Sequence, residues 1–358
     1  MNAADRKKSH KQSMSSATAF RVGFTPDLTG DMHTAADHAI KEILSSLPNL
    51  EHDIMPDTGG TATPEVVNQY DAIICLSYYF PPSAFAGVTR TACVARWGVG
   101  FDRVDVPACT EADVLLGLTP NAVRRPVAEG IMAFILGVTK NLRALDQRTR
   151  DGRWRGDLAC RSICIQGRTL GSVGAGNIAG EMFRMARGMG FGRLLAYDPF
   201  VSKERASEMG IELVDLPTLL KESDFVTINT PLNEHTEGLV GAEELALMKP
   251  SAFLINTARG PIVDEKALFE TLRDERIAGA ALDVFEEEPP PADNPLFKLD
   301  NVLLAPHSVA WTHESIRDIA LDCCRNVRAI YEGRPPEFLA NPDAVNRPGV
   351  QAKLSARR

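Results

Sequence analysis

Arg259, His307 and the acidic run Glu286-Glu287-Glu288 are the side chains of this sequence best suited to chemistry on a carbonyl acid. Arg259 stands in Asn256-Thr257-Ala258-Arg259-Gly260. The acidic run follows Leu282-Asp283-Val284-Phe285 and leads into Pro289, and His307 stands in Ala305-Pro306-His307-Ser308. A planar guanidinium can grip a carboxylate through two parallel hydrogen bonds and polarise a neighbouring carbonyl. An imidazole titrates near neutral pH, so it can protonate the oxygen of a carbonyl under reduction and recover the proton in the reverse direction. A carboxylate on the other ring nitrogen would fix the tautomer and stabilise the imidazolium. Together they suit hydride exchange between a 2-oxo and a 2-hydroxy acid. Residue types alone do not choose among the three glutamates, because an acidic run is usually a solvated surface.

Hydride exchange needs a carrier, and a place for one is written between residues 169 and 198. Thr169-Leu-Gly-Ser-Val173 reads as a strand running straight into Gly174-Ala-Gly176-Asn177-Ile178-Ala179, with a helix after it. This is the Gly-x-Gly-x-x-Ala form of the dinucleotide turn. Gly174 permits the tight turn, and Gly176 lets the backbone approach a pyrophosphate at the helix N-terminus. Asp198 closes the next strand, 24 residues past Gly174 (198 − 174). A carboxylate there binds ribose hydroxyls and repels a 2′-phosphate, which favours NAD(H) over NADP(H). Lys203 and Arg205 follow closely and temper that preference.

The elements that must hold these groups alternate between strand and helix, the pattern of an α/β protein with parallel sheets. Strands are expected at 20–24, 71–77, 91–96 and 112–117, with a helix over 34–47. A long helix is expected from Pro126 to about Leu145, apolar over more than one face and therefore packed between domains or subunits. A second unit then places strands near 168–173, 193–197, 224–228, 251–255, 278–282 and 301–304. An amphipathic helix runs from about Trp311 to Glu332, and the proline-bearing tail 333–358 shows little periodicity.

A length of 358 residues suits two domains, and a hydrophobic content of 44% is enough for their cores. The formal charge of −8 excludes the basic footprint of a general nucleic-acid binder. No apolar run is long enough to span a bilayer. Residues 1–19 are polar and mildly basic, lack a secretory apolar stretch, and read as a disordered leader. Seven scattered cysteines show no zinc spacing and read as thiols in a reducing compartment. Cytoplasmic location and the absence of a bound metal are the corresponding expectations.

From about residue 90 to 330 the chain resembles the D-isomer-specific 2-hydroxyacid dehydrogenases. The resemblance rests on an ordered series: Gly98-Val-Gly-Phe-Asp-Arg-Val-Asp105, Val127-Ala-Glu129, Gly174-Ala-Gly-Asn-Ile178, Tyr197-Asp-Pro199, Thr230-Pro-Leu232, Asn256-Thr-Ala-Arg-Gly260, Ala281-Leu-Asp-Val-Phe285, Glu288-Pro289 and Pro306-His307. It implies two Rossmann-like domains. One is a flavodoxin-like substrate domain, residues 20–126 and 307–358; the other is an inserted NAD-binding domain, 127–306, with the active site in the cleft between them. It selects Glu288 from the acidic run and makes Arg259, Glu288 and His307 the catalytic set. It places the Val99 and Gly100 amides on the substrate carboxylate. Asp283 meets the nicotinamide, and Asn177, Ile178, Thr230, Thr257, Ala258 and His307 lie along the cofactor. It implies a small 2-oxo or 2-hydroxy acid as substrate and a homodimer built on the long helix.

The resemblance has departures. Leu118 stands where the family often has Asn, and Ser308-Val-Ala-Trp311 follows the histidine where a small pair is common. Trp311 and the aromatic loop Tyr78-Tyr79-Phe80 are therefore candidates to line the substrate pocket, or simply to pack. Phosphite- and formate-type dehydrogenases share the resemblance, though formate enzymes usually carry Gln in place of Glu288. An NAD-sensing corepressor is the alternative from a different functional class.

Overall fold

A computed structural model describes residues 19–157 and 162–357. The expected leader, apart from Ala19, and Cys160 lie outside the described residues. The chain divides into two compact units: residues up to Ala95 with Asp105–Gly117 and the chain from Cys323 onward, and Arg96–Val104 with Leu118–Asp322.

The first unit is built on a five-stranded sheet of β1 (Phe20–Phe24), β2 (Leu50–Ile54), β3 (Ala72–Cys75), β4 (Cys93–Arg96) and β5 (Leu115–Gly117), in the order β2-β1-β3-β4-β5. β1 runs parallel to β2 and β3, and β4 to β5. β3 is buried along its whole length, as expected of a parallel strand covered on both faces. β2, with the sequence Leu-Glu-His-Asp-Ile, is an exposed edge strand that has no apolar alternation to announce it.

The second unit is a seven-stranded sheet: β6 (Leu170–Val173), β7 (Leu194–Tyr197), β8 (Glu212–Leu213), β9 (Phe225–Ile228), β10 (Phe253–Asn256), β11 (Gly279–Leu282) and β12 (Val302–Leu304). The order β12-β11-β10-β9-β6-β7-β8 reverses direction between β6 and β9. Such a reversal opens a crevice at the carboxyl ends of the two strands, the usual ligand position in doubly wound sheets. Alternate side chains supply two separate cores. Phe225, Phe253 and Ile255 pack on one face with Ile131, Ile135, Met182 and Phe183, while Val226, Ile228 and Leu254 pack on the other with Leu219, Leu245 and Leu268. Burying each such side chain contributes about 2 kcal/mol.

The long helix begins earlier and ends sooner than its sequence suggests. It spans Pro120–Thr139 with Pro126 inside it, and a second helix, Leu142–Arg150, follows. The break falls at Asn141, held at φ 53°, a left-handed conformation that asparagine tolerates better than most residues. Two glycines let the helix approach the sheet. A Cβ on Gly137 would fall 2.7 Å from Leu303, and one on Gly130 would fall 2.8 Å from Val309, two residues past His307. This packing keeps Leu118–Thr139 with the second unit. The tail also folds: Pro348–Ser355 is a helix whose Lys353 ammonium donates to the carbonyls of Thr91, Ala112 and Asp113. These contacts come from distant segments, so local periodicity could not show them.

Candidate active site

Neighbouring strand ends bring the chemistry together. Asn256 of β10 stands in register with Leu282 of β11, and Leu282 with Leu304 of β12. The loops bearing Arg259, Asp283 and His307 therefore leave the sheet side by side. Main-chain bonds tie them: the Asp283 N–H donates to the Asn256 carbonyl at 3.0 Å, and the His307 N–H to the Asp283 carbonyl at 2.7 Å. His307 is held at φ 53°, in the left-handed region that costs a non-glycine residue energy. Asp283, 4% exposed, braces that turn, its Oδ1 accepting from the N–H groups of Ser308 (2.9 Å) and Val309 (3.1 Å). Burial pushes the Asp283 carboxyl above its ordinary range, and these amides offset only part of the effect.

Glu288 pairs with His307. Its Oε2 lies 2.7 Å from His307 Nδ1, and its Oε1 accepts from the Phe285 N–H at 3.1 Å. Burial by itself would raise the Glu288 carboxyl. The hydrogen bond and charge of His307, the Phe285 amide and Arg259 outweigh burial and hold it below its ordinary value. An ionised carboxylate only accepts, so Nδ1 carries the hydrogen. Nε2 is left without a hydrogen-bond partner among the described residues, on a side chain 46% exposed.

Arg259 extends from the next loop. Asn256 shapes that loop from within: it is 1% exposed, its Oδ1 accepts from the Ala258 N–H, and its Nδ2 donates to the Arg259 carbonyl. Gly260 is required for packing, since a Cβ there would fall 1.9 Å from the Phe285 carbonyl carbon. The guanidinium lies against Gly100, where an added Cβ would meet Nη2 at 1.4 Å. The turn carrying Val99 and Gly100 is pinned by Thr119, whose Oγ1 accepts from the Gly98 N–H at 2.9 Å. The same compact unit therefore holds Arg259 beside these two residues.

The glycine turn fits a dinucleotide. Gly174 has φ 97°, and a Cβ there would fall 2.5 Å from the Asn229 carbonyl oxygen, beside Thr230. Gly176 faces open space and precedes the helix Asn177–Gly188, whose N-terminus has no side-chain cap. Uncapped amides and the helix dipole suit a pyrophosphate. Asp198 accepts from the N–H groups of Ala175 (2.8 Å), Phe200 (2.9 Å) and Val201 (3.2 Å), which fixes its carboxylate at the end of β7.

Comparison with known proteins agrees with this geometry. The family described as D-isomer specific 2-hydroxyacid dehydrogenase, NAD binding domain, matches residues 132–309. A glyoxylate reductase of Korarchaeum cryptofilum is 37% identical over 293 residues, covering 80% of this chain and 88% of that protein. The chain belongs to the D-isomer-specific 2-hydroxyacid dehydrogenases. A D-3-phosphoglycerate dehydrogenase of Archaeoglobus fulgidus is 34% identical over 286 residues, and here the match covers 80% of this chain but 53% of the relative. The crystal structure of a glyoxylate reductase from Paecilomyes thermophila superposes with a TM-score of 0.78 at 26% identity, covering 91% of this chain and 99% of that one. Like its family, this protein is an oxidoreductase with a nicotinamide dinucleotide cofactor.

Within this dehydrogenase, Arg259, Glu288, His307, Val99, Gly100, Asp283 and Trp311 fall in one unit. Trp311 is 54% exposed, and its main-chain N–H donates to Ser308. Thr257 and Ala258 are half-buried in the loop below Arg259, and Asn177 and Ile178 open the helix after the glycine turn. Tyr78 lies in the other unit and is 3% exposed. Its hydroxyl donates to Asp57 at 2.8 Å and accepts from the Thr58 N–H at 2.7 Å, while Tyr79 is the aromatic of that loop with surface exposure. Arg125 pairs with Glu129 and Glu181. The sequence reading gave no role to Asn256 or to Asp102, whose Oδ1 accepts from Arg259 Nε at 2.7 Å. Asn256 lies in the Asn256–Gly260 segment beside Arg259, so only its direction was hidden; Asp102 lies 157 positions away from Arg259.

Proposed function

We propose that this chain reduces small 2-oxo acids to D-2-hydroxy acids, preferring NAD(H) to NADP(H), as a cytoplasmic homodimer. In this reading residues 127–306 bind the nucleotide, and the rest of the ordered chain forms the substrate domain. The carrying observation is the 2.7 Å contact between Glu288 and His307 Nδ1, which leaves Nε2 free of that contact on a half-exposed side chain.

A bound nicotinamide dinucleotide supplies a two-electron carrier that delivers or accepts hydride. The Gly174–Gly176 turn and the amides opening the helix at Asn177 would hold its pyrophosphate, and Ile178, Thr230, Thr257, Ala258 and Asp283 would contribute to binding it. The fixed carboxylate of Asp198 accepts from ribose hydroxyls and disfavours a 2′-phosphate. Arg259 and the amides at Val99 and Gly100 hold the substrate carboxylate and orient the carbonyl. His307 gives the Nε2 proton to the carbonyl oxygen during reduction and takes it back during oxidation. Glu288 keeps the imidazole in that orientation and stabilises its cation. Trp311 borders the site on the His307 loop.

The size of the glyoxylate reductase relatives' named substrate points to a small acid. The test is NADH oxidation against glyoxylate, hydroxypyruvate and phenylpyruvate, with NADPH in parallel. Turnover that favours the small acids and NADH supports the reading. NADH binding with no turnover across the panel would move the chain to the nucleotide-sensing class.

A further inference from the structure

We infer that Asp102 is a positioning residue that aims the Arg259 guanidinium at the substrate carboxylate, an inference that rests on the proposed role of Arg259. Asp102 follows Gly100 by two residues, within the Gly98–Asp105 motif. It and Arg259 belong to the same compact unit, and the ion pair is largely sheltered, with side-chain exposures of 27% and 20%.

A guanidinium has five N–H donors in one plane. Asp102 Oδ1 takes the Nε donor at 2.7 Å, and the Ala258 carbonyl takes one Nη1 donor at 2.7 Å. Two fixed acceptors determine the plane of the group and the direction of its end. Among the described residues the remaining Nη1 donor and both Nη2 donors stay available, and Nη2 lies against Gly100. The edge formed by Nη1 and Nη2 is one that can bind a carboxylate in bidentate fashion.

Without Asp102, a long and flexible side chain would have to be ordered by substrate at each turnover, which lowers effective affinity and misaligns the carbonyl. Burial alone would raise the Asp102 carboxyl, but Arg259, with a smaller contribution from Arg96, holds it below its ordinary range, so it stays ionised at neutral pH. The effect proposed is nevertheless geometric: what matters is an acceptor at Nε. Asparagine at this position retains an acceptor oxygen, and alanine does not.

The experiment measures kcat and KM for glyoxylate, binding of oxamate to the NADH-loaded enzyme by fluorescence, NADH binding itself and melting temperature. Asp102→Ala should lower kcat/KM and weaken oxamate on the order of tenfold. Asp102→Asn should recover most of that loss. NADH affinity and melting temperature should stay near the parent values in both. In an Arg259→Lys background, which lacks the Nε donor, Asp102→Ala should add less than about twofold, because the two residues act as one unit.

Asp102→Ala within about twofold of the parent, beside a strong loss in Arg259→Lys, overturns the role of Asp102 and leaves that of Arg259 standing. Full activity in Arg259→Lys overturns the role of Arg259, and that of Asp102 with it. Asp102→Asn no better than Asp102→Ala overturns the geometric account. A fall in NADH binding or melting temperature matching the loss of kcat/KM overturns it in favour of general support for the fold.

Discussion

The five-stranded and seven-stranded sheets both contain parallel strand pairs, yet the polar groups beyond their strand ends are used differently. In the first unit they tie loop to loop: Thr25 Oγ1 accepts from the Leu76 N–H, Asp27 Oδ2 from the Ser77 N–H, and Tyr78 links Asp57 to Thr58. In the second unit Asn256 and Asp283 do the same tying, but the loops they brace carry an additional layer. Among the described residues, His307 keeps Nε2 without a partner, Arg259 keeps donors on Nη1 and Nη2, and the helix after Gly176 keeps its N-terminus uncapped. A site therefore arises where braced loops carry side chains whose hydrogen-bonding capacity exceeds what the fold consumes. The architecture alone does not create it.

The sharpest way to break this contrast is to remove the unpartnered nitrogen. His307→Ala should lower turnover by about a thousandfold while leaving NADH binding nearly intact. Stopped-flow fluorescence with NADH and steady-state rates separate the two, and turnover near the parent value would remove His307 from the chemistry. Glu288→Gln should cost about a hundredfold in turnover, because an amide neither fixes the imidazole tautomer nor stabilises its cation as a carboxylate does. That variant also carries a pH signature. The Glu288 carboxyl is held below its ordinary value of 4.5, so the folded state binds fewer protons there than the unfolded chain. The stabilisation it contributes is present above 4.5 and is lost as pH falls through the lower folded value. Thermal melts of the parent should fall more steeply on that acid limb than those of Glu288→Gln; parallel curves would count against the pair.

At the nucleotide turn, Asp198→Asn should weaken NADH and narrow its advantage over NADPH, together by about tenfold. Titrations with both nucleotides read this directly, and an unchanged ratio would show that Lys203, Arg205 or another group sets the preference. The smallest effect belongs to the first unit. Tyr78→Phe removes the bonds to Asp57 and Thr58 and should lower the melting temperature by roughly a few degrees without moving KM. A KM shift as large as that at Arg259 would instead put the Tyr78 hydroxyl in substrate binding.

Much of this was legible in the sequence. The buried strands β3, β6, β9, β10 and β11 announced themselves as apolar runs between turn residues. His307 and Arg259 stood in distinctive local contexts, as did the glycine turn. The exposed strand β2 and the two-residue β8 carried no such signal, because their pairing depends on neighbours and not on their own side chains. The tail helix Pro348–Ser355 was equally silent, since its anchors are Lys353 on distant carbonyls and Arg347 on Asp113. Pro126, read as a helix start, lies inside a helix that begins at Pro120, where packing on Val309 and Leu303 outweighs one lost hydrogen bond.

What the sequence determined by itself were the residue types and the short-range order: alternation of strand and helix, the Gly174–Gly176 turn followed by Asp198, and an arginine, an acidic run and a histidine each at a strand end. Those features depend on neighbours a few positions away, and local chemistry suffices to read them. The tertiary structure put Glu288, which only the family resemblance had singled out, on the imidazole, set Asp102 on Arg259 across 157 positions, and let Asp283 brace His307 in its left-handed turn. Side-chain direction and long-range register are set when the strands pair and the loops close, so a linear pattern cannot contain them.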